Sequence, residues 1–342
     1  MKKINIITLG CSKNTVDSEH LAAQLAAMNY KVVFDSDRTD ADVVVINTCG
    51  FIGDAKQESI DTILRAAMLK QAGKIEELFV VGCLSQRYAD ELRPELPEVD
   101  DFFGVNDWAD IVARLGAKWQ REQEVERELS TPSHYAYPTE FPDDVIEVMS
   151  REKKICRYLD IPFQHISDNQ LAAMKRRHTK EDAYRLVRKL RDAIPDIALR
   201  TTLLVGYPGE SESDFEELQQ FVKDCRFERL GVFAYSEEEG TYSATRLTDD
   251  VPADVKQSRV DRIMRLQERI SLESNARRIG QHMRVIIDRK EGEFYVGRSE
   301  YDSPEVDQEI IIDSCGRRLY RGRFYDVHIT DCEDYDLYAE LV

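Results

Sequence analysis

Three short β-branched runs in the first hundred residues each stop at a cysteine: Ile6-Ile7-Thr8-Leu9-Gly10-Cys11, Val43-Val44-Val45-Ile46-Asn47-Thr48-Cys49 and Leu78-Phe79-Val80-Val81-Gly82-Cys83. Helical patterns separate them, so they read as neighbouring strands of a parallel sheet rather than as hairpin partners. All carboxyl ends of such a sheet lie on one edge, where ligands bind. Cysteines spaced 38 and 34 residues apart are thereby expected in one crevice. Three thiolates gathered in this way suit a soft metal centre.

A structural zinc site usually closes four ligands, often as two near pairs, and none of these cysteines has a close neighbour in sequence. An iron-sulfur cluster held by three thiolates with one iron open fits better. The competing reading is that each is an ordinary buried cysteine packing as a small hydrophobe. Three at the same topological position weigh against that.

The 342 residues, 42% hydrophobic and 33% charged, suffice for two or three domains and exclude a disordered chain by composition. No apolar stretch reaches the length of a membrane span, and the N-terminal apolar run is too short for a signal peptide. Seven dispersed cysteines agree with a reducing compartment, so a cytoplasmic protein is expected. The net charge of -18 is uneven: residues 1–133 carry 15 bases and 23 acids, 134–280 carry 24 and 27, and 281–342 carry 8 and 15. Nucleic-acid affinity rests on neutralising phosphates with a basic face. Direct nucleic-acid binding is therefore not expected, and a basic partner or a merely solubilising surface is.

The first segment alternates strand and helix to about Trp119, with helices over Asn14 to Met28 and Gly53 to Leu69, as in a doubly wound α/β unit. A charged run from Lys118 to Glu128, ending in Leu129-Ser130-Thr131-Pro132, reads as a linker or a solvated helix. The middle segment alternates again. Strands are expected over Tyr158 to Pro162, Ala198 to Val205 and Leu230 to Tyr235, with helices over Asn169 to Lys175, Lys180 to Ala193 and Ser213 to Cys225. Ser213 with Glu216 reads as the capping box of the last of these, after the strand-to-helix loop Gly206-Tyr207-Pro208-Gly209-Glu210. A long amphipathic helix follows from Ala253 to about Arg278. Beyond Gln281 short alternating strands (Met283 to Ile287, Phe294 to Gly297, Glu309 to Ile312 and Arg323 to Ile329) predict a small antiparallel barrel, OB-like in size.

At Gly10-Cys11-Ser12-Lys13-Asn14, Asn47-Thr48-Cys49-Gly50-Phe51-Ile52 and Gly82-Cys83-Leu84-Ser85-Gln86-Arg87-Tyr88 the chain closely resembles the methylthiotransferase family of radical S-adenosylmethionine enzymes. Ser12-Lys13-Asn14 and Leu84-Ser85-Gln86-Arg87-Tyr88 resemble the branch that modifies an aspartate of ribosomal protein S twelve rather than the branch acting on tRNA. Further matches are Tyr158-Leu159-Asp160-Ile161, Gln164-His165-Ile166-Ser167-Asp168, Arg200 through Gly206, and Phe233 through Thr241. The tail, with Gly297-Arg298 and Asp302-Ser303-Pro304-Glu305-Val306-Asp307, is similar to the family's TRAM domain. The resemblance spans essentially the whole chain. It implies an iron-sulfur domain over 1–130, a radical-enzyme α/β barrel over 131–280 and a TRAM domain over 281–342.

In the family, three N-terminal cysteines hold a 4Fe-4S cluster that carries the sulfur to be inserted. The resemblance assigns that role to Cys11, Cys49 and Cys83. A second 4Fe-4S cluster on a CxxxCxxC motif cleaves S-adenosylmethionine, and that motif has no counterpart here, since only Cys156, Cys225, Cys315 and Cys332 remain. The single stretch Ser133-His134-Tyr135-Ala136-Tyr137-Pro138 resembles the beginning of one family repeat and the end of another. An internal deletion is implied, removing roughly three of the six strand-helix units of the barrel. Gln164, Arg200, Gly206 and Tyr235 fall at strand ends that in the resembling barrel face S-adenosylmethionine, with Arg200 as a carboxylate partner or a structural ion pair. His165 and His178 read as polar surface or core residues, and Tyr135 and Tyr137 as packing aromatics. Three readings follow: an S-twelve methylthiotransferase lacking its radical cluster, a non-catalytic iron-sulfur protein that binds a basic ribosomal partner, or a member of the tRNA branch.

Overall fold

The computed structural model describes residues 2–10, 12–36, 38–50, 53–105, 107–116, 138, 141–238, 241–303 and 306–342. Cys11, the charged run from Lys118 and the His134-Tyr135-Ala136-Tyr137 stretch lie outside the described residues. The chain divides into two compact units, Met1–Thr131 and Pro132–Val342.

The first unit runs β1 (Lys3–Thr8), α1 (Ser12–Ala27), β2 (Lys31–Phe34), β3 (Val43–Thr48), α2 (Gly53–Gln71), β4 (Glu77–Gly82), α3 (Cys83–Glu95), β5 (Asp101–Phe103) and α4 (Trp108–Arg114). Its five strands form a parallel sheet in the order β2-β1-β3-β4-β5. The period of two sends alternate residues to opposite faces. Thus Val44, Ile46, Leu78 and Val80 join one apolar cluster, while Val43, Val45, Phe79 and Val81 join another. Burial on both faces is why these strands are continuous apolar runs. The expected doubly wound α/β unit is what forms. The two outer strands β2 and β5, of 4 and 3 residues, add to the three cysteine-bearing strands of the expectation and are too short to carry a clear period.

The second unit opens with α5 (Asp143–Arg151), β6 (Tyr158–Asp160), α6 (Asp168–Ala173), α7 (Lys180–Ala193), β7 (Ala198–Val205), α8 (Glu212–Cys225), β8 (Arg229–Ala234), α9 (Tyr242–Arg246) and α10 (Ala253–Ala276). Its sheet has three parallel strands in the order β6-β7-β8, a partial barrel. One face carries the apolar core, where Leu199, Leu203 and Val205 meet Leu186, Leu190, Phe215 and Ile263 from the helices. The expected helix beginning at Ser213 starts earlier. Ser211 is the N-cap, accepting from the Asp214 backbone N–H, and Asp214 answers as the third helical residue. Ser213 and Glu216 form no capping box because Ser213 already lies inside the helix. Asp214 fills the place that Glu or Gln usually takes in a capping box.

The remaining strands are β9 (His282–Glu291), β10 (Phe294–Arg298), β11 (Ile310–Asp313), β12 (Phe324–Cys332) and β13 (Leu337–Leu341), closed into a barrel in the order β10-β11-β13-β12-β9. Four of these strands match the sequence expectation. The fifth, Leu337–Leu341, closes the ring by parallel pairing with β11 and antiparallel pairing with β12. Val285, Ile287, Ile310, Ile312, Val327, Ile329 and Leu337 fill the interior. No helix among the described residues is long and apolar enough to cross a membrane.

Candidate functional site

Parallel register places the cysteine-bearing edge of the first unit. Thr8 pairs with Asn47 and Thr48 with Gly82, so Cys49 and Cys83 stand one residue past the ends of adjacent strands. The Leu9 backbone N–H donates to the Asn47 carbonyl at 2.9 Å, carrying the pairing on toward Gly10. Glycines make this crowding possible. A Cβ on Gly10, whose φ is +96°, would stand 2.6 Å from the Cys49 Cβ and 2.9 Å from its Sγ. A Cβ on Gly82, at φ +106°, would stand 2.5 Å from the Thr48 carbonyl oxygen, and one on Gly50 would be 2.9 Å from the Leu84 backbone. Only a residue without a side chain fits such approaches. The signal was present in sequence as Gly10-Cys11, Cys49-Gly50 and Gly82-Cys83, each cysteine with a glycine beside it.

Buried polar side chains hold the β1 and β3 ends together. Asn14 Nδ2 donates to the Leu9 carbonyl at 2.7 Å and to the Thr48 carbonyl at 3.2 Å. Asn47 Nδ2 donates to the Asn14 carbonyl at 2.9 Å and to Ser18 Oγ at 3.0 Å. Ser59 Oγ accepts from the Cys49 N–H at 3.1 Å and donates to the Cys49 carbonyl at 3.0 Å. Helices α1, α2 and α3 begin at this edge, and α3 has no side-chain N-cap. Uncapped first-turn N–H groups favour an anion and lower a thiol's pKa, as a thiolate-bound cluster requires. Ser85 Oγ, in the first turn of α3, is buried with no hydrogen-bond partner among the described residues. The donor set and the glycine-lined approach fit an iron-sulfur group. Among the described residues alone no three metal-ligating side chains converge, Cys11 being outside them.

In the second unit Gln164, Gly206 and Tyr235 do come together where the strands finish. Gln164, at φ +67°, takes a hydrogen bond from the Leu204 N–H at 2.7 Å and donates its own N–H to the Thr202 carbonyl at 2.9 Å. The Tyr235 N–H reaches the Val205 carbonyl at 2.8 Å, and its hydroxyl is buried without a hydrogen-bond partner among the described residues. The Gly206 N–H donates to the wholly buried Glu210 carboxylate, which also meets His165 Nε2 at 3.4 Å and Arg259 Nη1 at 3.2 Å. His165 and His178 are both buried, and burial holds the His178 imidazole below its ordinary pKa. A cavity of about 260 Å³ beside these ends is lined by Gln164, Lys175, Leu204, Tyr207 and Tyr242.

Arg200 lies elsewhere. It is the third residue of β7, in register with Asp160 and Arg229. Six residues of extended chain, roughly 20 Å, separate it from Gly206. Its guanidinium reaches Asp160 at 2.8 Å and Asp307 of the C-terminal barrel at 3.1 Å. Beside it Arg229 donates to Asp302 at 2.5 Å, and the Tyr158 hydroxyl donates to Asp307 at 2.7 Å. Burial pushes both Asp160 and Asp307 above the usual carboxylate range, with the Arg200 charge pulling the other way. Burial likewise opposes the Arg229 charge, and Asp302 and Asp307 more than offset it.

The chain matches the model of the uncharacterized protein family UPF0004 over residues 3–104 and that of the TRAM domain over residues 279–342. It is 42% identical to the ribosomal protein uS12 methylthiotransferase RimO of Bacteroides thetaiotaomicron, with 100% of this chain and 98% of the relative covered. The chain belongs to the uS12 methylthiotransferase family. The RimO of Phocaeicola vulgatus is 41% identical over 99% of each chain. Among solved structures, a radical S-adenosylmethionine methyltransferase, TsrM from Kitasatospora setae, is similar at 12% identity and a TM-score of 0.39, over 68% of this chain and 75% of that one. That likeness is too distant to bear on chemistry. The other four cysteines of this uS12 methylthiotransferase family member lie on separate elements. Cys156 precedes β6, Cys225 ends α8, Cys315 sits in the turn after β11 and Cys332 ends β12. Burial raises the Cys156 and Cys332 thiols and pushes Cys225 up to about 12.

Proposed function

We propose that this chain keeps the sulfur-carrying half of a uS12 aspartate methylthiotransferase: one 4Fe-4S cluster on Cys11, Cys49 and Cys83, and recognition of a basic ribosomal protein. Radical cleavage of S-adenosylmethionine is not carried out by this chain alone. The observation that carries the reading is the contrast between Cys49 and Cys83, one residue past the ends of adjacent strands, and four other cysteines dispersed over separate elements.

Two facts support an internal deletion. The alignment with the Bacteroides thetaiotaomicron relative runs over 429 positions while this chain has 342 residues, so at least 87 positions have no residue here. The partial barrel has three strands, half of the six that the resemblance implies. Gln164, Gly206 and Tyr235 are what remains of a site for the adenosine part of S-adenosylmethionine, whereas the placement of Arg200 favours its structural ion-pair role. When bound, the cluster supplies an open iron for the sulfur to be transferred. The protein's part is to crowd three strand ends with glycines and to present helix N-termini to the thiolates.

Iron and sulfide are counted on anaerobically reconstituted protein, and 5'-deoxyadenosine is assayed after reduction with S-adenosylmethionine present. About four irons per chain are expected, all lost when Cys11, Cys49 and Cys83 are replaced by alanine. A count near eight, or repeated turnovers of 5'-deoxyadenosine, overturns the single-cluster reading.

A further inference from the structure

Register across three strands of the C-terminal barrel lines up two histidines and a carboxylate. His328 of β12 pairs with His282 of β9 on one side and with Glu340 of β13 on the other. Their chain neighbours Met283, Val327, Ile329 and Ala339 fill the barrel interior, so the alternation of a strand puts all three on its outer wall. His282 and Glu340 are exposed and His328 is half-buried. The Ile329 N–H donates to the Gln281 carbonyl at 2.9 Å, which makes 282–328 the intervening non-hydrogen-bonded pair, the kind that brings side chains closest. On the other side the Val342 N–H donates to the Asp326 carbonyl at 3.1 Å, so 328–340, two residues along, is a hydrogen-bonded pair.

The ring centres of His282 and His328 are 5.1 Å apart, with 40° between the ring planes. A metal ion ~2.1 Å from one nitrogen of each of two imidazoles, at a tetrahedral angle, sets their ring centres about 5 Å apart. The two rings are thus spaced as a pair of metal ligands. Neither imidazole nor the Glu340 carboxylate makes an ion pair with another side chain among the described residues. Arg284, the next residue of β9 on the same wall, is turned onto the Phe324 ring at 4.5 Å. Glu340 stands back from the rings, since no three metal-ligating side chains converge among the described residues. A hydrogen-bonded pair is about 5.5 Å apart at its Cα atoms, within the swing of a glutamate side chain.

We propose that His282, His328 and Glu340 form a surface site for a borderline transition-metal ion such as Zn²⁺ or Ni²⁺, the two imidazoles as fixed ligands, the carboxylate swung in as the third and water completing the shell. Two imidazoles with one carboxylate suit such ions, whereas Mg²⁺ and Ca²⁺ take oxygen ligands. The ion ties β9, β12 and β13 together and staples the stretch of the ring that β13 closes. The site belongs to a different unit from the cysteine edge and does not depend on whether a cluster is bound there.

The test is calorimetric titration of the full chain, its cluster reconstituted, with NiCl2, and a parallel titration with CoCl2 followed by absorption. The unaltered chain should show a strong nickel site that H282A and H328A each weaken by at least about a hundredfold and E340Q by about tenfold. Saturating Ni²⁺ should raise the melting temperature of the unaltered chain and leave that of H282A/H328A where it was. Bound Co²⁺ should show nitrogen and oxygen ligation with no thiolate-to-cobalt charge-transfer band. All three side chains lie on the outer wall, so unchanged circular dichroism without metal confirms that each variant is folded. Equal nickel affinity in H282A/H328A overturns the proposal. So does a cobalt spectrum dominated by thiolate and unchanged in that variant, which would place the ion on cysteines.

Discussion

Val43–Thr48 in the first unit and Ala198–Val205 in the second are both parallel strands with a partner on each side, yet the first is buried at every residue and the second alternates. In the first unit both faces of the sheet rest on apolar clusters. In the second, the core covers one face, and the other carries Arg200, Thr202, Gly231 and Phe233 along matched register. Toward the strand starts this face is closed by carboxylates of the C-terminal barrel, Asp302 and Asp307. Toward the strand finishes it stays open, with Phe233 at 49% exposure. Parallel sheets ordinarily hide both faces under helices. Here charge substitutes for the missing cover on half of one face, and the two kinds of cover respond differently to damage.

The largest expected difference comes from removing residues 279–342. That deletion strips Arg229 and Tyr158 of their carboxylate partners, leaves Arg200 with Asp160 alone and uncovers the apolar and charged groups beneath. The second unit should lose its cooperative unfolding transition, while amides of β1, β3 and β4 keep their hydrogen-exchange protection. Equal loss in both units would show that the sheets do not differ as described.

A smaller, more specific effect is expected at Asp302, which is 1% exposed against a buried Arg229. Asp302→Ala should cost about 3–5 kcal/mol in urea unfolding of the second unit, because breaking a buried pair leaves one charge unpaired. Replacing both partners, as Arg229→Met with Asp302→Leu, should recover much of that loss. A double variant as damaged as the single one would mean that the pair itself, not the stranded charge, carries the energy. In the first unit Ile46→Ala should cost about 2–5 kcal/mol with no such rescue, since its effect is a cavity.

This contrast also explains what was legible in the sequence. Strands buried on both faces announce themselves as unbroken runs, so the cysteine edge of the first unit was read directly from Val43–Thr48 and Leu78–Gly82. The glycines beside the cysteines carry the steric half of the same site, and their meaning emerges only when β1, β3 and β4 stand side by side. Arg200 was placed with Gln164, Gly206 and Tyr235 because all follow or lie within strand patterns. Whether a residue opens or finishes a strand depends on register across the sheet, which a single run does not reveal. Asp302 and Asp307 contact residues more than seventy positions away. No local period encodes such a partnership.

The smallest expected effect concerns α8, which packs on the covered face through Phe215, Leu218 and Val222. Ser211→Ala should destabilise the second unit by about 1 kcal/mol through loss of the N-cap, whereas Ser213→Ala should change it by only a few tenths. Reversed magnitudes would restore the capping box to Ser213. The pH dependence adds a sign. Burial works to raise the Asp214 carboxyl, but hydrogen bonds from Ser167 and Ser211 overcome it and hold the pKa below the ordinary value. A depressed carboxylate contributes stability that is present above its unfolded pKa, about 4, and is lost as pH falls through the lower folded value. Acid titration of the unaltered chain should therefore show stability declining below about pH 4 partly on account of Asp214. In Ser211→Ala that decline should be shallower, because the hydroxyl bond that favours the ionised form is lost while those from the residue 211 N–H and from Ser167 remain.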